Sequence, residues 1–282
     1  KMSKLWYKQH ANIWEEALPL GNGRLGAMVF GNPKNERIQV NEESVWYGGS
    51  VNRNNPNMKE NLPKIRELIF NGEISKAESL MMATMSGCPN SQHPYQTLGD
   101  LYLDQKALGE ITEYYRELDL ETAVCKVAFL SDGIAYTREI FVSKPAECMV
   151  MRIAADKQSS ISLSIGMGRE KYFDGIKPQG QDGLYLYGNL GRGSSEFAMK
   201  VSAQSKGGKV YTLGEHLCVD YADEVLLFFT ADTTYQCSRE EKQSALEAFM
   251  KCEFDASDIM NLDNKSDYEL AEIKMQQGLR NL

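Results

Sequence analysis

By residue type and spacing, this 282-residue chain offers three possible sources of chemistry: a glycine triplet, pairs of adjacent carboxylates, and aromatic residues beside glycine or histidine. Gly21, Gly23 and Gly26 fit G-x-G-x-x-G. That pattern cradles a dinucleotide pyrophosphate only when a strand enters the turn and a helix starts on the last glycine. Here Pro19, unable to donate in a central strand, precedes the triplet. Ala27-Met28-Val29-Phe30, closed by Gly31-Asn32-Pro33, reads as a strand ending in a turn. Arg37-Ile38-Gln39-Val40-Asn41 then alternates as a half-buried strand does. The glycines therefore open a hairpin, and the dinucleotide reading fails on its own context.

Hydrolysis of a glycosidic bond commonly takes two flanking carboxyl groups, ~6.5–9.5 Å apart where a water attacks with inversion. The adjacent pairs within the first fifty residues are Glu15-Glu16 and Glu42-Glu43. Neighbours on a strand point to opposite faces, so neither pair can clamp one bond. No catalytic residue is assigned within this chain. Three histidines (His10, His93, His216) stand far apart, and six cysteines (Cys88, Cys125, Cys148, Cys218, Cys237, Cys252) form no C-x-x-C pair. A zinc site needs clustered ligands, so no metal and no cofactor are expected. Cys125, Cys148 and Cys218 lie in strand-like runs and read as small buried hydrophobes.

Binding is better served than catalysis. Trp46-Tyr47-Gly48-Gly49 sets aromatic faces beside glycines, which suits stacking on the apolar C–H face of a sugar. Burial of Trp46 in a core, or against a further domain, is the weightier alternative, since large aromatics mostly serve burial. Asn41 and Glu42 could hydrogen-bond across a domain junction or simply cap a strand end. His93-Pro94-Tyr95-Gln96 closes a long polar loop, and such loops on β scaffolds often carry function. Against that, a lone histidine is usually a surface hydrogen-bonding residue. Arg24, amid glycines, could pair a carboxylate from elsewhere or sit in solvent. Arg169-Glu170-Lys171 reads as a solvated charge run, and Met81, Met82 and Met85 as gap-filling core.

The elements that must position these residues are mostly strands. Ile161-Ser162-Leu163-Ser164-Ile165 alternates perfectly, and Glu224-Val225-Leu226-Leu227-Phe228-Phe229 has the continuous apolar centre of a strand covered on both faces. Turn signals (Asp132-Gly133, Asp182-Gly183, Gly207-Gly208) separate such runs. One interruption is helical, over about 59–85: Leu62, Ile65, Leu68 and Ile69 share a helix face, and Asn71-Gly72 supplies the stop before a second helix to about Met85. Many short strands with no alternating helices predict a mainly β fold, a large antiparallel sandwich with a short helical insertion, over residues 1–236. A helical tail is expected over 237–282.

Net charge of −8, from 31 Lys plus Arg against 39 Asp plus Glu, argues against tracking of nucleic-acid phosphates and suits neutral ligands. No apolar run approaches the ~20 residues of a membrane-spanning helix.

The stretch from Trp14 to Gly31, with Asn41-Glu42-Glu43-Ser44-Val45-Trp46-Tyr47-Gly48-Gly49, resembles the opening of glycoside hydrolase family 95. That family comprises inverting exo-enzymes, chiefly α-L-fucosidases with some α-L-galactosidases. Leu62-Pro63-Lys64-Ile65-Arg66-Glu67-Leu68-Ile69-Phe70-Asn71-Gly72, Tyr95-Gln96-Thr97-Leu98-Gly99-Asp100-Leu101, Arg138-Glu139-Ile140-Phe141-Val142-Ser143-Lys144-Pro145 and Ala222-Asp223-Glu224-Val225 agree with it in order. The resemblance spans about Leu5 to about Tyr235 and covers the family's N-terminal β-sandwich.

It implies a helical catalytic barrel beyond Leu282, with the general acid glutamate and the asparagine–aspartate base located there. It implies partners in that barrel and in a fucosylated or related glycan, a tail over 237–282 leading to the barrel's linker, and a chain inactive alone. In related two-domain hydrolases the sandwich lends loops to the barrel's mouth, which makes the His93–Gln96 loop the candidate for an active-site rim. The rivals are a stand-alone carbohydrate-binding sandwich and the equivalent domain of a disaccharide phosphorylase. Export to the periplasm or outside is the expectation from this kind of enzyme, while unpaired cysteines fit a reducing interior equally well.

Overall fold

The computed structural model describes residues 3–191 and 193–235. β1 (Lys4–Tyr7) precedes a single 3-10 turn at Trp14–Glu16; β2 (Leu18–Gly21), β3 (Leu25–Val29) and β4 (Asn35–Glu42) then form a meander. Helices α1 (Met58–Phe70) and α2 (Ile74–Thr84) interrupt the strands. Next come β5 (Gly99–Gln105), β6 (Ile111–Asp119), β7 (Val124–Ser131), β8 (Ile134–Ser143) and β9 (Cys148–Ala155). The chain continues through β10 (Ile161–Gly168), β11 (Gly175–Gln179), β12 (Gly183–Asn189) and β13 (Glu196–Lys206). It ends in β14 (Lys209–Leu213), β15 (His216–Ala222) and β16 (Glu224–Thr233). The helical tail expected over 237–282, with Cys237 and Cys252, lies outside the described residues.

Two antiparallel sheets make the sandwich. The nine-stranded sheet runs β1-β6-β7-β8-β9-β16-β13-β12-β11, and the seven-stranded sheet runs β14-β15-β10-β5-β4-β3-β2. Each strand sends alternate side chains inward, as the twofold pleat requires. β10, for example, buries Ile161, Leu163, Ile165 and Met167 in the core shared by both sheets. β16 is covered on both faces: Val225, Leu227 and Phe229 face that core, while Leu226 and Phe228 join Cys148 and Val150 in a second cluster. Cys125, Cys148 and Cys218 are buried, as their strand context predicts. Pro19 sits in β2 at a sheet edge, paired opposite Met28, where a missing N–H costs the ladder little.

The core holds charge as well as hydrocarbon. The buried Arg138 guanidinium donates to Glu36 (3.0 Å), to Gln105 Oε1 (2.8 Å) and to the carbonyls of Asn32 and Pro33. The other Glu36 oxygen accepts from the Gly31 N–H at 2.7 Å. This pair ties the turn between β3 and β4 to the opposite sheet.

The helical hairpin corrects one expectation. Ile65 and Leu68 of α1 and Ala77 of α2 are buried between elements, and Gly72 takes the left-handed stop at φ +75. Met81, Met82 and Met85, read as gap-filling core, lie on an outer face instead, together with the exposed Ile69, Phe70 and Ile74. Helical periodicity states which side chains share a face and is silent on what covers it. Glu15 and Glu16, likewise, sit on the 3-10 turn rather than on a strand.

Register places the motif-bearing segments together. Leu25 pairs with Glu42, Gly99 with Val40, Gly168 with Asp100, Glu196 with Asn189, and Phe197 with Thr233. The 21–25 hairpin, the loops after β4, α2, β10 and β12, and the chain leaving β16 therefore all emerge at one end of the sandwich.

Candidate functional site

At that end, three loops are stitched edge to edge. Trp46 bridges Tyr95 as an isolated β pair, Tyr47 N donates to Pro94 O (3.1 Å), and Gln96 N donates to Val45 O (3.0 Å). Gly48 N donates to Leu190 O (3.2 Å) and Ser194 Oγ to Trp46 O (3.0 Å), which joins the β12–β13 loop to the same ribbon. Only glycine fits two of these crossings. A side chain on Gly49 would collide with the Gly193 carbonyl, and one on Gly191, already at φ +111, would strike the Tyr47 ring.

Between the loops lies a cleft of two adjoining cavities, of about 350 Å³ and 550 Å³, which share Tyr47, Ser91, Gln92 and His93. The first also reaches Gln96 and Tyr172, the second Trp46, Arg53, Ser195 and Tyr235. Tyr47 meets His93 edge-on (centroids 5.5 Å, 69°) and Tyr172 at a tilt (5.4 Å, 51°). Trp46 stands edge-on to Tyr95 at 5.0 Å and is 36% exposed, so the core placement weighed for it is wrong. Arg53 donates through Nε to Pro89 O (3.0 Å) and through Nη2 to Asn90 O (2.8 Å), which pins the far wall.

Four of the seven candidate residues, Trp46, Tyr47, His93 and Gln96, are thus brought to one cleft. The other three form a stitch beside it. The Tyr95 hydroxyl accepts from Asn41 Nδ2 and donates to the Glu42 carbonyl (2.9 Å). Glu42 Oε2 accepts from the Ser44 N–H (2.8 Å) and hydroxyl (2.6 Å), the strand-end cap weighed from the sequence. Arg24 pairs with Glu147 (Nε–Oε2 2.6 Å), donates to Ala231 O (2.8 Å), and stands 3.8 Å from Glu42 Oε1. It is engaged within this chain rather than left to solvent. Burial pushes the Glu42 and Asp232 carboxyls above the usual carboxylate range. Neither lines the cleft, and no Asp or Glu is among its described lining residues.

Sequence reasoning missed Arg169. Read as part of a solvated run, its guanidinium lies 4.6 Å from the Phe197 centroid and donates to Gln96 Oε1 (2.6 Å), Leu98 O (2.7 Å) and Lys171 O (2.6 Å). Burial lowers its pKa to about 10. The available signal was its place directly after β10, a central strand. Among the described residues, no group of three or more His, Cys, Asp and Glu side chains could hold a metal ion. The arrangement can bind through aromatic, amide and hydroxyl groups.

The fold and this loop cluster define a two-sheet antiparallel β-sandwich domain with a loop-built cleft at one end. The chain belongs to the family described as glycosyl hydrolase family 65, N-terminal domain, which matches residues 5–238. It is 34% identical over 170 residues to alpha-L-fucosidase 2 of Arabidopsis thaliana, covering 59% of this chain and 20% of that protein. It is 29% identical over 248 residues to a probable alpha-fucosidase A of Aspergillus niger, covering 81% of this chain and 30% of the relative. The chain therefore spans less than a third of the length of either relative. Among solved structures, a putative kojibiose phosphorylase from the human microbiome aligns with a TM-score of 0.44 and 9% identity, over 97% of this chain and 37% of its own.

Proposed function

We propose that this chain is the non-catalytic N-terminal sandwich of an inverting exo-α-L-fucosidase-like hydrolase of the family 95 type. In that role it buttresses a helical catalytic barrel and lends the Ser44–Arg53 and Pro89–Gln96 loops to the rim of the substrate pocket. The observation that carries this reading is the alignment with two α-fucosidases over about a fifth to a third of their lengths, joined to a motif-bearing cleft with no carboxylate among its described lining residues. Inverting hydrolysis takes an acid and a base on opposite sides of the bond, so those groups come from another part of the enzyme.

The test is turnover of an aryl α-L-fucoside. The product of the gene read past Leu282 releases L-fucose with inverted anomeric configuration, followed by NMR, while the 282-residue chain releases none above a contaminant control. Turnover by the 282-residue chain, or a longer product that cleaves only gluco-configured substrates, removes the reading.

A further inference from the structure

The cleft is assembled before any ligand arrives. Backbone bonds from Tyr47, Gly48 and Gln96 fix its floor, Arg53 fixes the 89–90 wall, and the glycine crossings at Gly49 and Gly191 hold the loops in contact. Its two volumes, of about 350 and 550 Å³, fall within the ~300–1,000 Å³ span of small-molecule clefts. Preorganisation of this kind removes loop-ordering cost from binding.

The lining selects the ligand's chemistry. Among the described residues, no Asp, Glu or Lys borders the cleft, so none of them would neutralise a cation. Among the described lining residues the charged side chain is Arg53, which is tied back to the 89–90 wall through Nε and Nη2. What remains is Tyr47, which borders both cavities with no ring lying flat on it, the Tyr172 and His93 rings beside it, and the exposed Ser91 and Gln92 side chains. An aromatic wall with amide and hydroxyl groups at its edge matches an amphipathic ring with one C–H face and a rim of hydroxyls.

We propose that this cleft is itself a binding site for a neutral pyranoside, stacked on Tyr47 and held at its rim by Gln92 and Ser91. The site works without the barrel. That the sugar belongs to a fucosylated glycan rests on the function proposed above; that it is a neutral sugar does not.

The experiment is amide NMR titration of the 282-residue chain with 2′-fucosyllactose, methyl α-L-fucoside and maltose. Saturable shifts in the cleft loops are expected with the two fucosides, with Kd on the order of 1 mM. Tyr47→Leu and Gln92→Ala should each weaken binding about tenfold or more. Gln92→Ala alters an exposed loop side chain, so it keeps the test valid if Tyr47→Leu fails to fold. Absence of saturation with all three sugars, or binding that Gln92→Ala and a folded Tyr47→Leu both leave unchanged, overturns the proposal. Saturation by maltose alone, lost in the variants, upholds the cleft and overturns the fucosidase reading.

Discussion

Arg138 Nη1 lies 3.0 Å from Glu36 Oε2 inside the sandwich, and neither side chain has any solvent exposure. Removing one partner leaves an uncompensated charge in a medium that solvates it poorly, which typically costs ~3–5 kcal/mol. Arg138→Met should therefore lower stability by about that amount, read from urea unfolding. Adding Glu36→Gln should restore part of it, since the amide oxygen can still accept from Gly31 and the stranded charge is gone. If Arg138→Met unfolds within ~1 kcal/mol of the parent chain, the pair has no structural importance.

The Glu42 and Asp232 carboxyls predict a pH dependence of definite sign. Both are raised chiefly by burial, so the folded chain holds their protons more tightly than the unfolded chain does. Their contribution to stability is full below the unfolded values and is lost as pH rises through the folded ones. The window opens at the ordinary values, 3.8 for Asp232 and 4.5 for Glu42, and extends above them. Glu42→Gln, whose amide oxygen can still cap Ser44, should lose less stability than the parent between the acid side of that window and neutrality. Urea unfolding at a series of pH values checks this; equal slopes for the two proteins would refute it.

What was legible in the sequence followed a local rule. The Gly21–Gly26 hairpin came from Pro19 and the apolar run that ends at Gly31, and the doubly covered β16 from an unbroken apolar centre. Strand pairing at long range was not legible. Nothing near Arg169 announces that Gln96 and Phe197, far away in sequence, enclose it, because that enclosure depends on β5 and β13 beginning where β10 ends. The candidate site divided along the same line. Trp46, Tyr47, His93 and Gln96 were found as conspicuous residues on loops, while Tyr172, on the crossover from β10 to β11, and Gly193, Ser194 and Ser195, between β12 and β13, reach the cleft from segments far along the chain.

The outer face of the helical hairpin supplies a prediction that separates core from surface. Phe70 is 85% exposed and Met82 74% exposed, so neither buries enough area in this chain to stabilise it. Phe70→Lys and Met82→Lys should each change stability by no more than about 0.5 kcal/mol, the usual range for surface substitutions. Ile65→Ala, one turn away on the buried face of α1, should cost about 2–5 kcal/mol, because a buried isoleucine loses both its transfer energy and its packing. Thermal unfolding of the three variants side by side makes the comparison. A loss at Phe70 or Met82 as large as that at Ile65 would mean that both faces of the hairpin are covered in solution, and that this chain associates through its methionine-bearing side.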